Sequence, residues 1–392
     1  MNKHFTNPAN HLDHTWLFPF IGLCKNFHLF INHGPKTQDR KKIMKSTICL
    51  NAKCPVKILF IMVLCLSYVL TPLSFASNNG KKSFSIVVLP DTQYYSLYYP
   101  QIFMSQTTWT RKNSNAMNIV GVVHEGDITH RNSEKEWVRA NEALGILDEV
   151  VPYYLAIGNH DIGPHGRARN RDTHLFNKYF PISRFEGKPW YGGHFTAKKE
   201  GTFYFLKKWW YGLPSKAGNE NAFYFLTAGR MRFLLLCLEF GPRNEVLDWA
   251  NKVVSEHKER RTIVVTHCYL NFDDTRVGKG DESNPHEYGC GGNDGEEIWE
   301  KFVRKHENIF LVLSGHILGD GLGRLTSNGD HGNKVHQILA NYQMKENGGN
   351  GWLRTMKFIP EENRILVRTY SPVLNNYATD DQNHFELDYQ MK

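Results

Sequence analysis

The chain has 392 residues, 41% of them hydrophobic and 22% charged, which is enough to bury a large core. Its formal charge of +8 lies near the N-terminus: residues 1–76 contain nine Lys or Arg and two acidic residues, leaving 38 basic and 37 acidic residues beyond them. This near-neutral remainder gives no support for electrostatic binding of nucleic acid. Only Cys237, Cys268 and Cys290 follow residue 76, too few for a disulfide scaffold, although Cys268 and Cys290 could pair in an oxidising compartment.

A targeting segment is predicted before the near-neutral part of the chain. Basic residues precede an apolar run over residues 58–70, and Ser74-Phe-Ala76 supplies small residues before a cleavage point. This order is typical of a secretory signal, and the run is shorter than the about 20 residues of a membrane span. We therefore predict an exported protein, secreted or periplasmic, with cleavage after Ala76. An uncleaved N-terminal membrane anchor is the alternative.

The start of the chain is longer than a usual leader. We interpret residues 1–43 as an over-extended N-terminus and residues 44–76 as the signal peptide, with translation beginning at Met44. Residues 77–392 are then predicted to be one catalytic domain. We expect no stable membrane span after cleavage, and the sequence does not determine the oligomeric state.

Short polar motifs follow five apolar, strand-like runs in this domain. The runs cover residues 84–89, 119–123, 154–157, 263–265 and 310–313, and the motifs are Asp91-Thr-Gln93, Gly126-Asp127, Gly158-Asn-His-Asp161, Thr266-His267 and Gly315-His316. Loops at the carboxyl ends of buried parallel strands collect ligands and catalytic groups, so these side chains should converge. Carboxylate, amide and imidazole groups together suit a divalent ion such as Mn, Fe or Zn.

Other segments predict the helices and further strands of an α/β protein. Residues 133–149 carry the capping box Ser133-x-x-Glu136 and an apolar stripe, and residues 245–257 and 296–306 also have an amphipathic helical pattern. Strands predicted over 335–339, 352–358 and 365–370 are assigned to a second sheet. An aromatic-rich insertion near 163–218 is interpreted as a loop packed by its own aromatics or, alternatively, as a wall of a substrate cleft.

The order of the five motifs resembles the signature of calcineurin-like metallophosphoesterases, with Gly-Asn-His-Asp as its most specific part. The resemblance implies a two-sheet α/β/β/α sandwich and a centre of two divalent metal ions. By position, Asp91 and Gln93 would bind one ion, Asp127 would bridge both, and Asn159, His267 and His316 would bind the other. His160 would be the general acid, oriented by Asp161. Arg131 stands where the family has a phosphate-binding arginine; a solvated loop residue is the alternative.

Two residues depart from the family pattern, and both stand at positions expected to bind the same ion. Gln93 stands where the family usually has a His, and Leu318 stands where Gly-His-x-His would place the last His. A neutral amide oxygen is a poorer donor than imidazole, and Leu318 offers none. We therefore expect one tightly and one weakly bound ion. Asp320 is a candidate replacement ligand, although turns of this composition are usually structural.

The chemistry expected from this constellation is hydrolysis of phosphate mono- or diesters. Two adjacent cations activate a water and hold the phosphoryl oxygens, and an imidazole protonates the leaving alcohol. The predicted partner is a small-molecule phosphoester. A catalytically silent relative that binds a phosphorylated ligand in the same cleft is the alternative, favoured by Gln93 and Leu318.

Overall fold

The computed structural model describes residues 83–197 and 218–391, which lie in one compact unit spanning Ser74–Lys392. The predicted signal peptide, residues 1–43 and the aromatic residues Trp209, Trp210 and Tyr211 lie outside the described residues. Within the described ranges, every helix is too short or too polar to cross a membrane.

Strands and helices alternate over the first half of the described chain and again around residue 250. The strands are β1 (Phe84–Leu89), β2 (Ile119–His124), β3 (Tyr153–Leu155), β4 (Tyr191–His194), β5 (Ala222–Ala228), β6 (Met231–Leu238), β7 (Arg261–Thr266), β8 (Ile309–Ser314), β9 (Leu322–Asn328), β10 (Lys334–Ala340), β11 (Leu353–Ile359), β12 (Arg364–Ser371), β13 (Asn376–Ala378) and β14 (His384–Asp388). The helices are α1 (Gln93–Leu97), α2 (Pro100–Asn113), α3 (Glu134–Gly145), α4 (His174–Tyr179), α5 (Asn244–Glu256) and α6 (Gly295–Lys301), with an irregular helical turn over Glu346–Gly349.

The strands form two mixed seven-stranded sheets. The first has the order β13-β12-β11-β1-β2-β3, with β14 also paired to β12, and the second has the order β4-β5-β6-β7-β8-β10-β9. The pairs β1–β2, β2–β3, β6–β7, β7–β8 and β8–β10 are parallel. Each of the five strands that precede the polar motifs therefore takes part in a parallel pair.

Alternate residues of the strands pack into two cores. Phe84, Ile86 and Val88 of β1 belong to a core that also contains Phe233 of β6, and the rings of Phe84 and Phe233 lie 5.7 Å apart. Val87 and Leu89 point to the opposite face, into a core shared with the helices. The architecture is the predicted α/β/β/α sandwich, because each sheet is buried on both faces.

Helix α3 follows the motif of β2 and confirms the predicted capping box. The Glu136 carboxylate accepts hydrogen bonds from the backbone N–H and the hydroxyl of Ser133, and Trp137, Ala140 and Leu144 are buried. The helix ends at Gly145, four residues before the predicted end. Turn hydrogen bonds replace the helical pattern there, as in the contact between Leu147 N–H and the Leu144 carbonyl oxygen.

The assignment of the last strands to the second sheet was partly wrong. β10 does pair with β8, but β11 pairs with β1, and β12 pairs with β11, so both belong to the first sheet.

The described part of the aromatic insertion supports the packing interpretation. Trp190 makes edge contacts with Tyr154 and Phe185 at centroid distances of 6.0 Å.

Candidate metal centre

The loops that follow β1, β2, β3, β7 and β8 bring the predicted ligands together. Asp127, His267 and His316 are buried, and each offers one ligand atom within 4.8 Å of the others. His267 Nε2 lies 3.2 Å from Asp127 Oδ1 and 3.9 Å from Asp91 Oδ1. Residues separated by up to 225 positions in sequence thus meet at one edge of the sandwich.

The glycines of the motifs are required by this close approach. A Cβ on Gly158 would lie 2.0 Å from Asp127 Oδ1, and one on Gly126, whose φ is +103°, would lie 2.6 Å from His267 Nδ1. Asp127 and His316 themselves adopt left-handed backbone conformations, with φ of +49° and +72°. Non-glycine residues persist in this conformation only where surrounding contacts compensate, which is common at functional sites.

Backbone carbonyl groups fix which nitrogen of each imidazole faces the centre. Glu125 O lies 2.9 Å from His267 Nδ1, and Ser283 O lies 2.9 Å from His316 Nε2. These contacts leave Nε2 of His267 and Nδ1 of His316 as the nitrogens able to bind an ion. A carbonyl partner on the distal nitrogen is the usual support of a metal-binding histidine.

Three buried polar atoms at the centre point to a cation. Among the described residues, Asp91 Oδ1, Asn159 Oδ1 and His267 Nε2 are buried without a hydrogen-bond partner. His267 Nε2 is near Asp127, but the pair lacks hydrogen-bond alignment. An unsatisfied buried polar group costs about 1–3 kcal/mol. Because a carboxylate oxygen, an amide oxygen and an imidazole nitrogen can all coordinate a divalent first-row ion, the residues fit a metal centre.

The charges of the centre also fit a cation. Burial lowers the pKa of His267, but the carboxylates of Asp127 and Asp91 outweigh it and raise that pKa to about 10. Burial would raise the pKa of Asp127, yet His267 and His160 hold it below its usual range. Burial lowers the pKa of His316 to about 3. Asp127 is thus anionic and His316 neutral, as metal ligands must be, and a bound cation would replace the proton on His267.

The family model for calcineurin-like phosphoesterases matches residues 84–320. The chain belongs to this family. A relative, the uncharacterized protein YvnB of Bacillus subtilis (strain 168), is 30% identical over 326 residues, which are 80% of this chain and 22% of YvnB. The chain therefore spans about a fifth of the length of that relative.

Two solved structures with similar folds are more distant. Purple acid phosphatase PPD1 from yellow lupin (Lupinus luteus) seeds is 11% identical with a TM-score of 0.44, and the match covers 79% of this chain and 54% of PPD1. GAP50, the anchor in the inner membrane complex of Plasmodium, is 11% identical with a TM-score of 0.39, covering 79% of this chain and 91% of GAP50.

Gln93 lies at the phosphoesterase centre, but with its amide nitrogen towards the shared carboxylate. Its Nε2 donates to Asp127 Oδ2 at 3.0 Å and also to Gln343 Oε1, while its Oε1 lies 2.5 Å from His130 Nδ1. The oxygen predicted to bind the first ion is therefore engaged with an imidazole. Gln93 as a metal ligand stays a prediction.

Leu318 and Asp320, which follow His316 by two and four positions, both point away from the role of a replacement ligand. Leu318 is 41% exposed. Asp320 is exposed as well, and its Oδ1 accepts a hydrogen bond from the Leu322 N–H at 3.0 Å. Asp320 therefore stabilises its own turn, which is the structural role expected of it, and Leu318 stands where the family has its last imidazole.

His160 is held as a general acid would have to be, although not by the residue predicted. Its backbone N–H donates to Asp127 Oδ1 at 2.9 Å, and its Nδ1 lies 2.7 Å from the His130 carbonyl oxygen. The ring is half-buried, and Nε2 takes no part in these two contacts. The prediction that Asp161 orients this imidazole is wrong, since its carboxylate instead accepts from the backbone N–H groups of Ile128, Thr129 and Gly158. Asp161 positions the loops that carry Asp127 and Asn159.

Arg131 is exposed beside this loop, and its backbone N–H donates to the Glu136 carboxylate. Its role as a phosphate ligand stays a prediction. The neighbouring His130 ring stacks on His160 at 4.8 Å and lies 5.0 Å from Tyr94. His130 thus supports the general-acid candidate with both its ring and its carbonyl oxygen.

Sequence reasoning missed Gln343, which is buried and bonded to Gln93. A signal for it exists: Asn341-Tyr-Gln343 follows β10, a parallel partner of β8, and therefore lies at the same sheet edge as His316.

Cys237, Cys268 and Cys290 are free thiols, so the possible pairing of the last two is not found.

Proposed function

We propose that this chain is an exported phosphoesterase that hydrolyses phosphate mono- or diesters with a metal-activated water and with His160 as the general acid. Membership of the calcineurin-like family supports metal-dependent hydrolysis of phosphoesters. The observation that carries the proposal is the set of three buried, unpartnered atoms, Asp91 Oδ1, Asn159 Oδ1 and His267 Nε2, around the Asp127 carboxylate. These residues would hold a divalent ion, and that ion would lower the pKa of a bound water and polarise a phosphoryl oxygen.

The protein's own groups supply the remaining requirements. Carbonyl groups fix the ring orientations of His267 and His316, so that little reorganisation is needed when the centre is loaded. His160 is anchored through its N–H and its Nδ1, which leaves Nε2 to give a proton to the departing alkoxide. An alkoxide is a poor leaving group at neutral pH, and protonating it at a fixed position typically contributes about 10²–10⁴-fold.

Substrate class is testable with a panel of chromogenic monoesters and diesters, assayed with Mn²⁺, Fe²⁺, Zn²⁺, Mg²⁺ and a chelator. We expect metal-dependent turnover of at least one ester by the wild-type chain. Asp127→Ala should lose bound metal and all turnover, because Asp127 is the carboxylate predicted to bind both ions, and it lies beside His267 at 3.2 Å. Asp330→Ala is the matched control, since Asp330 is an exposed partner of Arg304.

The second candidate function is binding of a phosphorylated ligand without hydrolysis. It is favoured by the contacts of Gln93 and by the exposed Leu318, which together leave one side of the centre with few metal donors. Absence of turnover with every metal, together with metal-dependent binding of a phosphorylated ligand, would establish this alternative instead.

Export rests on the sequence between Met44 and Ala76, where basic, apolar and small residues follow in the order of a secretory signal. We propose that the mature chain begins at Ser77 and acts on the outer side of the membrane. An uncleaved segment over residues 58–70 would instead leave the phosphoesterase anchored at its N-terminus.

A further inference from the structure

The amide of Gln93 is surrounded by hydrogen-bond partners at the position expected of the weaker ion. We call the group of Gln93, Gln343 and His130 the amide cluster. Nε2 of Gln93 donates to Asp127 Oδ2 and to Gln343 Oε1, and Oε1 of Gln93 lies 2.5 Å from His130 Nδ1. Both N–H bonds and the oxygen of this amide are therefore engaged.

The neighbours of Gln93 in the amide cluster are themselves held in place. The Gln343 N–H donates to Asn341 Oδ1 at 3.0 Å, and the Asn341 N–H donates to the Gly321 carbonyl oxygen at 2.7 Å. The His130 ring lies between those of Tyr94 and His160. Turning the Gln93 amide by half a rotation would place its Oε1 against Gln343 Oε1 and against the Asp127 carboxylate. Acceptors would then face acceptors, so the cluster fixes the amide with its nitrogen towards Asp127.

This orientation places Gln93 in competition with a cation. Asp127 Oδ2 is the carboxylate oxygen on the side of Gln93 and accepts its N–H, so an ion that took this oxygen would have to displace that hydrogen bond. A hydrogen bond to a charged group is stronger than one between neutral groups, so displacing it takes a substantial part of the binding energy of a weakly held ion. Asp127 Oδ1, in contrast, faces His267 and the His160 N–H on the other side of the carboxylate.

We propose that Gln343 controls access of a second ion to this centre by holding the Gln93 amide on Asp127. This inference rests on the proposed function, because it takes the centre to bind divalent ions. The site of Asn159, His267 and His316 is independent of the amide cluster and binds its ion first. The site of Asp91 and Gln93 fills only after the Gln93 amide has been displaced from Asp127 Oδ2.

The test is a calorimetric titration of the metal-free mature chain with Mn²⁺, with bound metal counted by elemental analysis after dialysis. The wild-type chain should bind one ion tightly and a second weakly. Gln343→Leu should tighten the second ion on the order of tenfold, the effect of about one hydrogen bond, and leave the first unchanged. Gln343→Asn, which shortens the side chain but keeps the amide, should also tighten binding of the second ion. Gln101→Leu, at an exposed position of α2, is the matched control.

A double-mutant cycle separates control through Gln93 from direct ligation by Gln343. If Gln343 acts through Gln93, Gln343→Leu should have no effect on the second ion in a Gln93→Leu background. Weaker binding of the second ion by Gln343→Leu in both backgrounds would overturn the proposal and make Gln343 Oε1 a ligand. Two equally tight ions in the wild-type chain would overturn it too. A wild-type chain that binds no ion would overturn the proposed function as well.

Discussion

Replacing Asp161 by Asn tests whether this carboxylate holds the loops of the metal centre or orients the His160 imidazole. Asp161 is fully buried, and its two oxygens accept four hydrogen bonds. Oδ2 accepts from the N–H groups of Ile128 and Gly158, at 3.0 and 2.9 Å. Oδ1 accepts from the N–H and the hydroxyl of Thr129, at 2.7 and 3.0 Å.

The size of the effect follows from these partners. An Asn side chain has one oxygen instead of two. In its more favourable orientation, that oxygen faces the N–H groups of Ile128 and Gly158 and accepts from both. The amide nitrogen then faces Thr129, whose hydroxyl can turn to accept but whose N–H loses its acceptor. One buried N–H without a partner costs about 1–3 kcal/mol. We therefore expect Asp161→Asn to lower the free energy of unfolding by about that amount and to weaken metal binding, because the loops of Asp127 and Asn159 are loosened.

Urea unfolding at a fixed metal concentration measures the loss of stability, since bound metal stabilises the folded state by mass action. Asp330→Asn is the control: Asp330 is exposed and pairs with Arg304, and such pairs contribute about 0–1 kcal/mol. The reasoning fails if Asp161→Asn is as stable as this control and yet loses activity selectively on esters with poor leaving groups. That result would mean that Asp161 acts on the imidazole after all.

Four further outcomes are expected. His160→Ala should retain metal but lose about 10²–10⁴-fold in kcat on alkyl esters and much less on a nitrophenyl ester, as steady-state kinetics would show; equal losses would reject the general-acid role. Gly158→Ala should lose metal affinity, measured by calorimetry, because its Cβ would lie 2.0 Å from Asp127 Oδ1. Chelation should lower the Tm in a thermal scan, since three buried atoms lose their partner, and an unchanged Tm would contradict the metal assignment. N-terminal sequencing of exported protein should begin at Ser77, and retention of residues 58–70 would refute cleavage.

The parts of the centre that could be predicted share one property: a polar motif directly follows a buried strand. β1 has the predicted bounds, and β7 and β8 extend the predicted runs by no more than two residues at either end, because their apolar stretches are continuous and end at polar residues. The pairing of β11 with β1 could not be predicted in the same way. The local sequence of an apolar strand in the second half of the chain does not indicate which sheet the strand joins, because its pairing depends on residues far away in the sequence.

The contacts that sequence reasoning missed involve backbone groups or distant side chains. Asp161 was assigned to the adjacent His160, but its partners are N–H groups of Ile128 and Thr129, which have no signature in the sequence. Gln343 stands 250 positions from Gln93, and a single polar residue after β10 is a weak signal by itself. Both residues became recognisable only when the fold placed their loops at the same sheet edge.

The choice between hydrolysis and binding depends on His160 more than on the departures from the family pattern. A protein that only binds a phosphorylated ligand would need the cation, but would gain nothing from an imidazole held to donate a proton to a leaving group. In this chain the His160 N–H is anchored on Asp127, its Nδ1 on the His130 carbonyl oxygen, and its ring face on the His130 ring. Gln93 and Leu318 remove donors from one ion and leave this arrangement intact. This arrangement supports the proposal of hydrolysis, and the dependence of His160→Ala on the leaving group is the measurement that decides between the two functions.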